Sequence, residues 1–487
     1  MYALSDIIYF SSLLICITLG GYYKRIENPN TKRNYGTGLG ILITCMLCGP
    51  SMAHSVLMVW GNIVIIKCCN KLYIHHLSIA YTWLYLIYIT FNLDLSHYVL
   101  WVHQAIALRL VGLAFEITLA EKAKRQPTTA TAKGSQVSKA SKYLKEPDLY
   151  SDVISKSSNH RLNIGDLAYV PTEPSAVDII SYAYYFIGLH KGPYYRWKTF
   201  NEHFKTPFGV LGDCRIITEQ KLKKALVCSV VYLFLRFKFP TQLYYDNDFY
   251  TKHGTDFRYL YNIPQMVSYV LQYQVVMMLC TSVCTEAGFG VYPTKTQPLP
   301  GHGPSTRYSL LQLAAVTEDV ALEQEYNFAM LRSFENEKLL IGPRMRDTLR
   351  GWDMSTRYWF WAHTYKGMSK AKKEVRSALS FLAWTLWCGP TLQQLIISTT
   401  LWIHLHLENE YDVMYDTHAM LKMPWDIGFS IMRLFCLAYL TPCLILRDSA
   451  VILRYYNSIF WLYHALLLCL ILGAIVMHRD RVLSRRE

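Results

Sequence analysis

Apolar residues in this chain come in long blocks. A helix crossing a hydrocarbon core of about 30 Å needs roughly 20 residues at about 1.5 Å each. Blocks that approach or reach this length recur at 7–23, 38–50, 53–66, 73–91, 98–119, 176–189, 224–236, 262–291, 377–403, 425–446 and 450–477. This pattern predicts an all-α polytopic membrane protein. The composition agrees, because 52% of the 487 residues are hydrophobic, only 17% are charged and the mean hydropathy is +0.13, unlike an ordinary soluble domain. Several blocks are short for a full crossing. Irregular backbone at membrane depth is tolerated only when packed in protein or lining a wet cavity, so these blocks predict half-helices or re-entrant pieces around an internal chamber.

The net charge of +14 raises nucleic acid as a partner, but the basic residues flank membrane segments and form no nucleic-acid-binding motif. The bias of cytosolic loops toward Lys and Arg accounts for them. With the N-terminus outside, Lys24, Arg25, Lys32 and Arg33 fall in the first cytosolic loop and Lys67 and Lys71 in the second. The turn Asn92–Ser96, whose one charge is acidic, is then lumenal, and Lys122, Lys124, Arg125 and the basic C-terminus are cytosolic. Residues 1–6 lack a basic region and no small-residue cleavage site follows, so the first span is expected to be retained and not removed as a signal peptide.

Most of the thirteen cysteines lie inside apolar blocks, where a thiol behaves as a small buried hydrophobe. Cys45 and Cys48, and Cys280 and Cys284, are closely spaced but lack a second pair at zinc spacing, so helix packing is the expected role and no metal is assigned. Cys68 and Cys69, beside Lys67 at a cytosolic edge, fit reversible palmitoylation.

Residues 121–175 interrupt the apolar pattern with Lys, Ser, Thr and Ala, which predicts a basic, mobile cytosolic loop between N-terminal transmembrane helices at 1–120 and a core at 176–487. A second polar stretch, Thr294 to Asp347, reads as a turn-rich loop followed by a short helix. From Arg344 to Ser377 the chain is dense in aromatics and cations together. Met345, Leu349, Trp352, Tyr358, Trp359 and Trp361 can share one helical face at a period of about 3.6. That face fits either an interfacial helix with an aromatic belt or a helix entering a lipid-binding chamber.

At this helix the sequence becomes specific. RMRDTLRGWDMSTRYWFWAHTYK, followed by the segment ending LWCGP, resembles the core of the membrane-bound O-acyltransferase (MBOAT) family, and within it the lysophosphatidylinositol acyltransferase branch. Further similarity runs in family order through LCGPSMAHSV, YAYYFIGLHKGPYYRWKTF, TEAGFGVYP, EYNFAMLRS, LKMPWDIGF and LRYYNSIFWLYH. The resemblance implies about eleven transmembrane helices, with re-entrant and interfacial helices, around a tunnel. It also implies transfer of an acyl group from acyl-CoA, a co-substrate with no further cofactor, to a lysophospholipid hydroxyl in the endoplasmic reticulum membrane.

Two residues carry that reaction in the family, an Asn after Trp and a His in Trp-His-Gly. Aligned residue by residue they fall on Asp353 and Cys388, with Trp352, Trp387 and Gly389 retained beside them. Arg346, Arg350 and Lys366, with Arg344, Lys370, Lys372, Lys373 and Arg376, fit either CoA phosphates or ordinary cytosolic flanking charge.

Attack of a hydroxyl on a thioester needs a base titrating near ambient pH. Imidazole, near about 6.5, meets that need; a thiol, near about 8.5, does so poorly. Loss of a general base typically costs about 10² to 10⁴ in rate. A protonated Asp353 keeps nearly the shape of a carboxamide, whereas an ionised one sets a negative charge where an oxyanion develops. His363 lies about 15 Å from Asp353 along a continuous helix and His404 about 24 Å from Cys388, so neither replaces the imidazole. An acyl-accepting Cys388 requires a paired cation, and none adjoins it in sequence. Two readings therefore stand. One is a relative with reduced or lost transfer that binds lipid or acyl-CoA, or regulates a partner enzyme in the same membrane. The other is a working acyltransferase that tolerates both substitutions. A transporter or channel fits less well, because intramembrane charges are few and show no paired-repeat pattern.

Overall fold

The computed structural model describes residues 2–125 and 173–484, apart from 207, 307, 309–310, 316, 341, 369–370 and 418–421. Of the loop expected at 121–175, residues 126–172 lie outside the described residues, and the helix that precedes it runs on to Arg125. Among the described residues, six helices are long and apolar enough to cross a membrane: Leu4–Lys24, Pro29–Cys68, His97–Arg125, Cys214–Tyr245, Thr255–Glu286 and Lys422–Ile445. A seventh span is reached if Ser449–Ser458 and Leu462–Met477, bent by 64°, count as one. The chain is an all-α, multi-pass membrane protein, and its one sheet among the described residues is Tyr292–Pro293 paired with Tyr326–Asn327.

The count differs from the expected spans for local reasons. The blocks at 38–50 and 53–66 join through a three-residue turn at Gly49–Ser51 into one long element. Its N-terminus is set by Asn28, whose side chain accepts from the amides of Asn30 and Thr31, with Pro29 in the first helical position, where its missing N–H costs nothing. The block at 377–403 divides at Gly389 into helices Lys373–Cys388 and Leu392–Thr417. At 176–189 only Ala176–Tyr184 is helical.

Helix His97–Arg125 is the axis of the molecule, with every residue from Val102 to Ala114 buried. Two charged residues on it hold the irregular backbone that follows Ala176–Tyr184. The buried Arg109 guanidinium donates to the carbonyls of Tyr182, Ala183, Tyr185 and Ile187. These oxygens are orphaned where the helix stops, and in lipid they have no water to turn to. Glu116, also buried, accepts from the amides of Trp197 at 2.9 Å and Lys198 at 3.3 Å, which start the next helix, Trp197–His203. The stretch between is thus fixed at both ends, and it carries Lys191. Helix Pro29–Cys48 closes over it through Gly40, where a Cβ would fall 1.6 Å from the Tyr184 carbonyl oxygen.

The aromatic segment after Arg344 is two helices, not one. Met345–Gly351 stops, Trp352 is extended, Asp353 turns left-handed at φ 38°, and Met354–Phe360 begins there. It runs into a wider, π-helical turn at Trp361–Tyr365. The shared apolar face expected from Met345 to Trp361 therefore does not form on a single rod. The second half of the polar stretch likewise makes two short helices, Glu318–Leu322 and Asn336–Leu340, where one was expected. Three apolar clusters result among the described residues: one built on the N-terminal helices and 176–204, a second on the C-terminal helices from Ile396 to Leu467, and a small third of Phe208, Cys214, Val291, Ala314 and Ala321. Trp384, one turn before Cys388, packs against the first two.

Candidate active site

Asp353 and Cys388 come to one place from different elements. Asp353 caps helix Met354–Phe360, its Oδ1 accepting from the Thr356 amide at 3.4 Å. Asn and Asp are the non-glycine residues that best tolerate its left-handed backbone, and both are strong helix caps. Asn and Asp therefore serve the local fold at this position about equally well. Its other oxygen, Oδ2, accepts from the Tyr273 hydroxyl at 2.7 Å. Tyr273 stands on helix Asn262–Glu286, and its ring packs 4.8 Å from that of Trp352.

Cys388 ends helix Lys373–Cys388. Gly389 follows at φ 97°, where a Cβ would lie 2.7 Å from Thr90, so only glycine fits the turn without strain. Trp387 fixes the register. Its indole N–H donates to the Gln104 carbonyl at 3.2 Å, and the Gln104 amide returns a bond of 3.3 Å to the Trp387 carbonyl. One turn earlier, Trp83 donates to the Ala383 carbonyl at 2.8 Å. Opposite, Trp359 donates to the Leu108 carbonyl at 2.9 Å and stacks on Trp83 at 5.4 Å. The two altered positions are thus pinned to helices 74–92 and 97–125 by indole N–H groups with satisfied partners.

The cation that the sequence does not place beside Cys388 is supplied by the fold. Lys191 lies within electrostatic reach of Asp353, Cys388 and Cys280. Its ammonium stands over three rings, Trp101 at 4.9 Å, Trp387 at 5.5 Å and Tyr273 at 5.6 Å. Tyr269 adds a further hydroxyl within reach of Asp353 and Cys388. Sequence reasoning missed Lys191, Tyr269, Tyr273 and Trp101. A lysine at the end of an apolar block reads as flanking charge, and its ring partners are distant in the chain. The available signal was a cation beside Gly-Pro within a resemblance motif.

Neither histidine weighed as a substitute base reaches this centre. His363 is buried against Phe115, ring to ring at 4.7 Å. His404 sits in the second cluster, bonded to the Tyr463 hydroxyl and 3.8 Å from Glu408. The continuous helices assumed for both are broken, at Trp361–Tyr365 and at Gly389, but the conclusion holds through these other partners.

The arginines are engaged structurally. Arg344 and Arg346 both pair with Asp412, the latter at 3.0 Å, and Arg350 pairs with Asp347 at 3.3 Å. Glu408 accepts from the amides of Met345 and Arg346, so this charge cluster ties helix Met345–Gly351 to Leu392–Thr417. Lys366 is exposed with its ammonium 4.9 Å from the Trp361 ring, Arg376 lies 4.6 Å from the Tyr365 ring, and Lys372 and Lys373 are exposed nearby. Lys370 lies outside the described residues.

A helical membrane body with a polar, aromatic-walled centre defines the class, and comparison with known proteins names it. The sequence profile of MBOAT, the membrane-bound O-acyltransferase family, matches residues 84–451, and the chain belongs to that family. It is similar to the membrane-bound acylglycerophosphatidylinositol O-acyltransferase frj of Drosophila melanogaster, 24% identical over 94% of this chain and 89% of that protein. It is likewise similar to the acylglycerophosphatidylinositol O-acyltransferases MBOAT7 of Mus musculus, at 24% over 96% of this chain and 93% of the relative, and of Homo sapiens, at 25% over 94% and 91%.

Proposed function

We propose that this chain is an acyl-CoA:lysophospholipid O-acyltransferase of phosphatidylinositol remodelling in the endoplasmic reticulum membrane, with a transfer step well slower than that of an Asn/His centre. The observation that carries the reading is the juxtaposition of Asp353 and Cys388 in one aromatic-walled centre, in a chain similar over nearly its full length to acylglycerophosphatidylinositol O-acyltransferases.

The residues divide the work as follows. Trp352 and Trp387, held by Tyr273 and Gln104, shape the wall against which the thioester and the acceptor hydroxyl meet. Holding both reactants at attack distance supplies part of the rate even without a good base. Cys388 fills the imidazole position with a group that is a weak donor and, while neutral, no proton acceptor. Without an imidazole at this position the step is slower by about 10² to 10⁴. Lys366, Lys372, Lys373 and Arg376, on the turn between the two site helices, offer cations for the CoA phosphates. Arg344, Arg346 and Arg350 are already matched by Asp412, Glu408 and Asp347, which supports a structural role for them.

The test compares membranes containing the native chain with membranes containing the Asp353→Asn, Cys388→His double variant, each given labelled acyl-CoA and lysophosphatidylinositol. The expected result is slow transfer by the native chain and at least a tenfold faster rate in the double variant. Equal rates overturn the attenuated centre, and absence of transfer in both overturns the acyltransferase reading.

A further inference from the structure

Lys191 is an ionisable group of this centre to which neither the resemblance nor the reading above gives a task. A lysine near a membrane usually extends its ammonium toward water. This one turns the other way, into a box of Trp101, Trp387 and Tyr273 contributed by three different helices. Ring faces attract an ammonium and not a neutral amine, so the box offsets part of the desolvation that burial imposes on the Lys191 charge. The side chain it faces is Asp353, which is 7% exposed and accepts from the Tyr273 hydroxyl.

Tyr273 touches both charges, as a ring under Lys191 and a hydroxyl on Asp353. Yet among the described residues no direct ion pair joins Lys191 to Asp353. Cys388, its side chain smaller than an imidazole, lies within electrostatic reach of both Lys191 and Asp353. The loop bearing the lysine is held from both ends by Arg109 and Glu116, and the Lys191 amide is engaged by the Cys280 sulfur. Lys191 is half-buried, and a charge held in such an aromatic cage is costly to keep unless it has a use.

We propose that Lys191 is a catalytic cation of this centre, joined to Asp353 through Tyr273, and that its ammonium stabilises the oxyanion of the reacting thioester while the Asp353 carboxylate accepts the proton. The proposal rests on the acyl-transfer reading. The acceptor hydroxyl gives its proton to the Asp353 carboxylate as its oxygen forms the C–O bond to the acyl carbonyl carbon. The negative charge that develops on the carbonyl oxygen faces Lys191. As the C–S bond breaks, the proton on Asp353 passes to the departing CoA sulfur. Carboxylate and ammonium are then as they began, and no co-reactant is consumed. The family's neutral Asn and its imidazole are thereby replaced by a charge pair working from the other side of the centre.

The experiment has two arms on the full-length protein in detergent and in membranes, with Lys191→Met, Lys191→Arg and the double variant Lys191→Met, Asp353→Asn, each checked for a single symmetric gel-filtration peak. In the first arm, acyl transfer to lysophosphatidylinositol is expected to fall about 100-fold in Lys191→Met with little change in KM, and to recover in part in Lys191→Arg. The double variant should be no worse than Lys191→Met, because the two residues act as a unit. In the second arm, the proteins are treated with dicyclohexylcarbodiimide, which modifies protonated carboxyls, and the peptide carrying Asp353 is read by mass spectrometry. Asp353 should stay unmodified in the native chain and in Lys191→Arg, and become modified in Lys191→Met. Transfer by Lys191→Met at the native rate, or equal modification of Asp353 in native and Lys191→Met chains, overturns the proposal. If neither the native chain nor the Asp353→Asn, Cys388→His variant transfers acyl groups, the acyltransferase reading falls, and the modification arm alone decides the charge pair.

Discussion

At position 353 the backbone accepts few residues. A left-handed φ of 38° at a helix start suits Asn and Asp almost equally, so folding alone does not choose between them. The turn at 389 is stricter, because φ 97° and a contact with Thr90 at 2.7 Å leave no room for a Cβ. Gly389→Ala is expected to cost about 1–3 kcal/mol, read as a lower apparent Tm in detergent; an unchanged Tm contradicts the assigned turn. Cys388 beside it has Lys191 within reach, but the aromatic box favours an ammonium already protonated and so unable to take the thiol proton. A hydroxylamine-sensitive acyl adduct on Cys388 should therefore be absent after incubation with acyl-CoA, and its appearance by mass spectrometry would establish a two-step route instead.

Among the elements, the decisive device is the clamp that helix His97–Arg125 exerts on residues 176–203. Arg109 satisfies the carbonyls where one helix ends and Glu116 the amides where the next begins. Between them an irregular stretch is kept at depth, which an apolar environment otherwise forbids. Arg109→Met strands these oxygens, each orphaned buried group costing about 1–3 kcal/mol. The expected outcome is loss of the monodisperse gel-filtration peak, with Arg109→Lys intermediate; a well-behaved Arg109→Met protein contradicts the clamp. Part of this scale was legible in sequence. The short block at 176–189 announces a half-helix by its length, but the apolar run 377–403 reads as unbroken and hides the division at Gly389. The interruption at Asp353 was not legible either, because a run of aromatics at helical spacing outweighs the preference of one capping residue. Lys191 was hidden for a related reason: its partners Trp101, Tyr273 and Trp387 adjoin it only after folding.

For the whole molecule, the lipid-facing surface and the charge pattern must agree on topology. An N-terminus outside and a cytosolic C-terminus require an odd number of crossings. Six long helices reach an odd number when the bent pair Ser449–Ser458 and Leu462–Met477 counts as a seventh, and the about eleven spans that the family resemblance implies are odd as well. Tags at the two ends should therefore be reached from opposite sides of sealed microsomes, and detection on the same side contradicts this count. The polytopic class and the family followed from hydropathy and motif order, since both are properties of the chain read in sequence. How charge is balanced inside the body depends on contacts between helices far apart in the chain, and only the fold displays it.

The central claim is that Asp353 and Cys388 limit the chemistry of an otherwise competent acyltransferase body. The most direct test is the rate of acyl transfer from labelled acyl-CoA to lysophosphatidylinositol in membranes bearing the native chain or the Asp353→Asn, Cys388→His double variant at equal protein levels. The account predicts slow native transfer and a gain of at least tenfold on restoring the pair; a native rate equal to or above that of the double variant would contradict it.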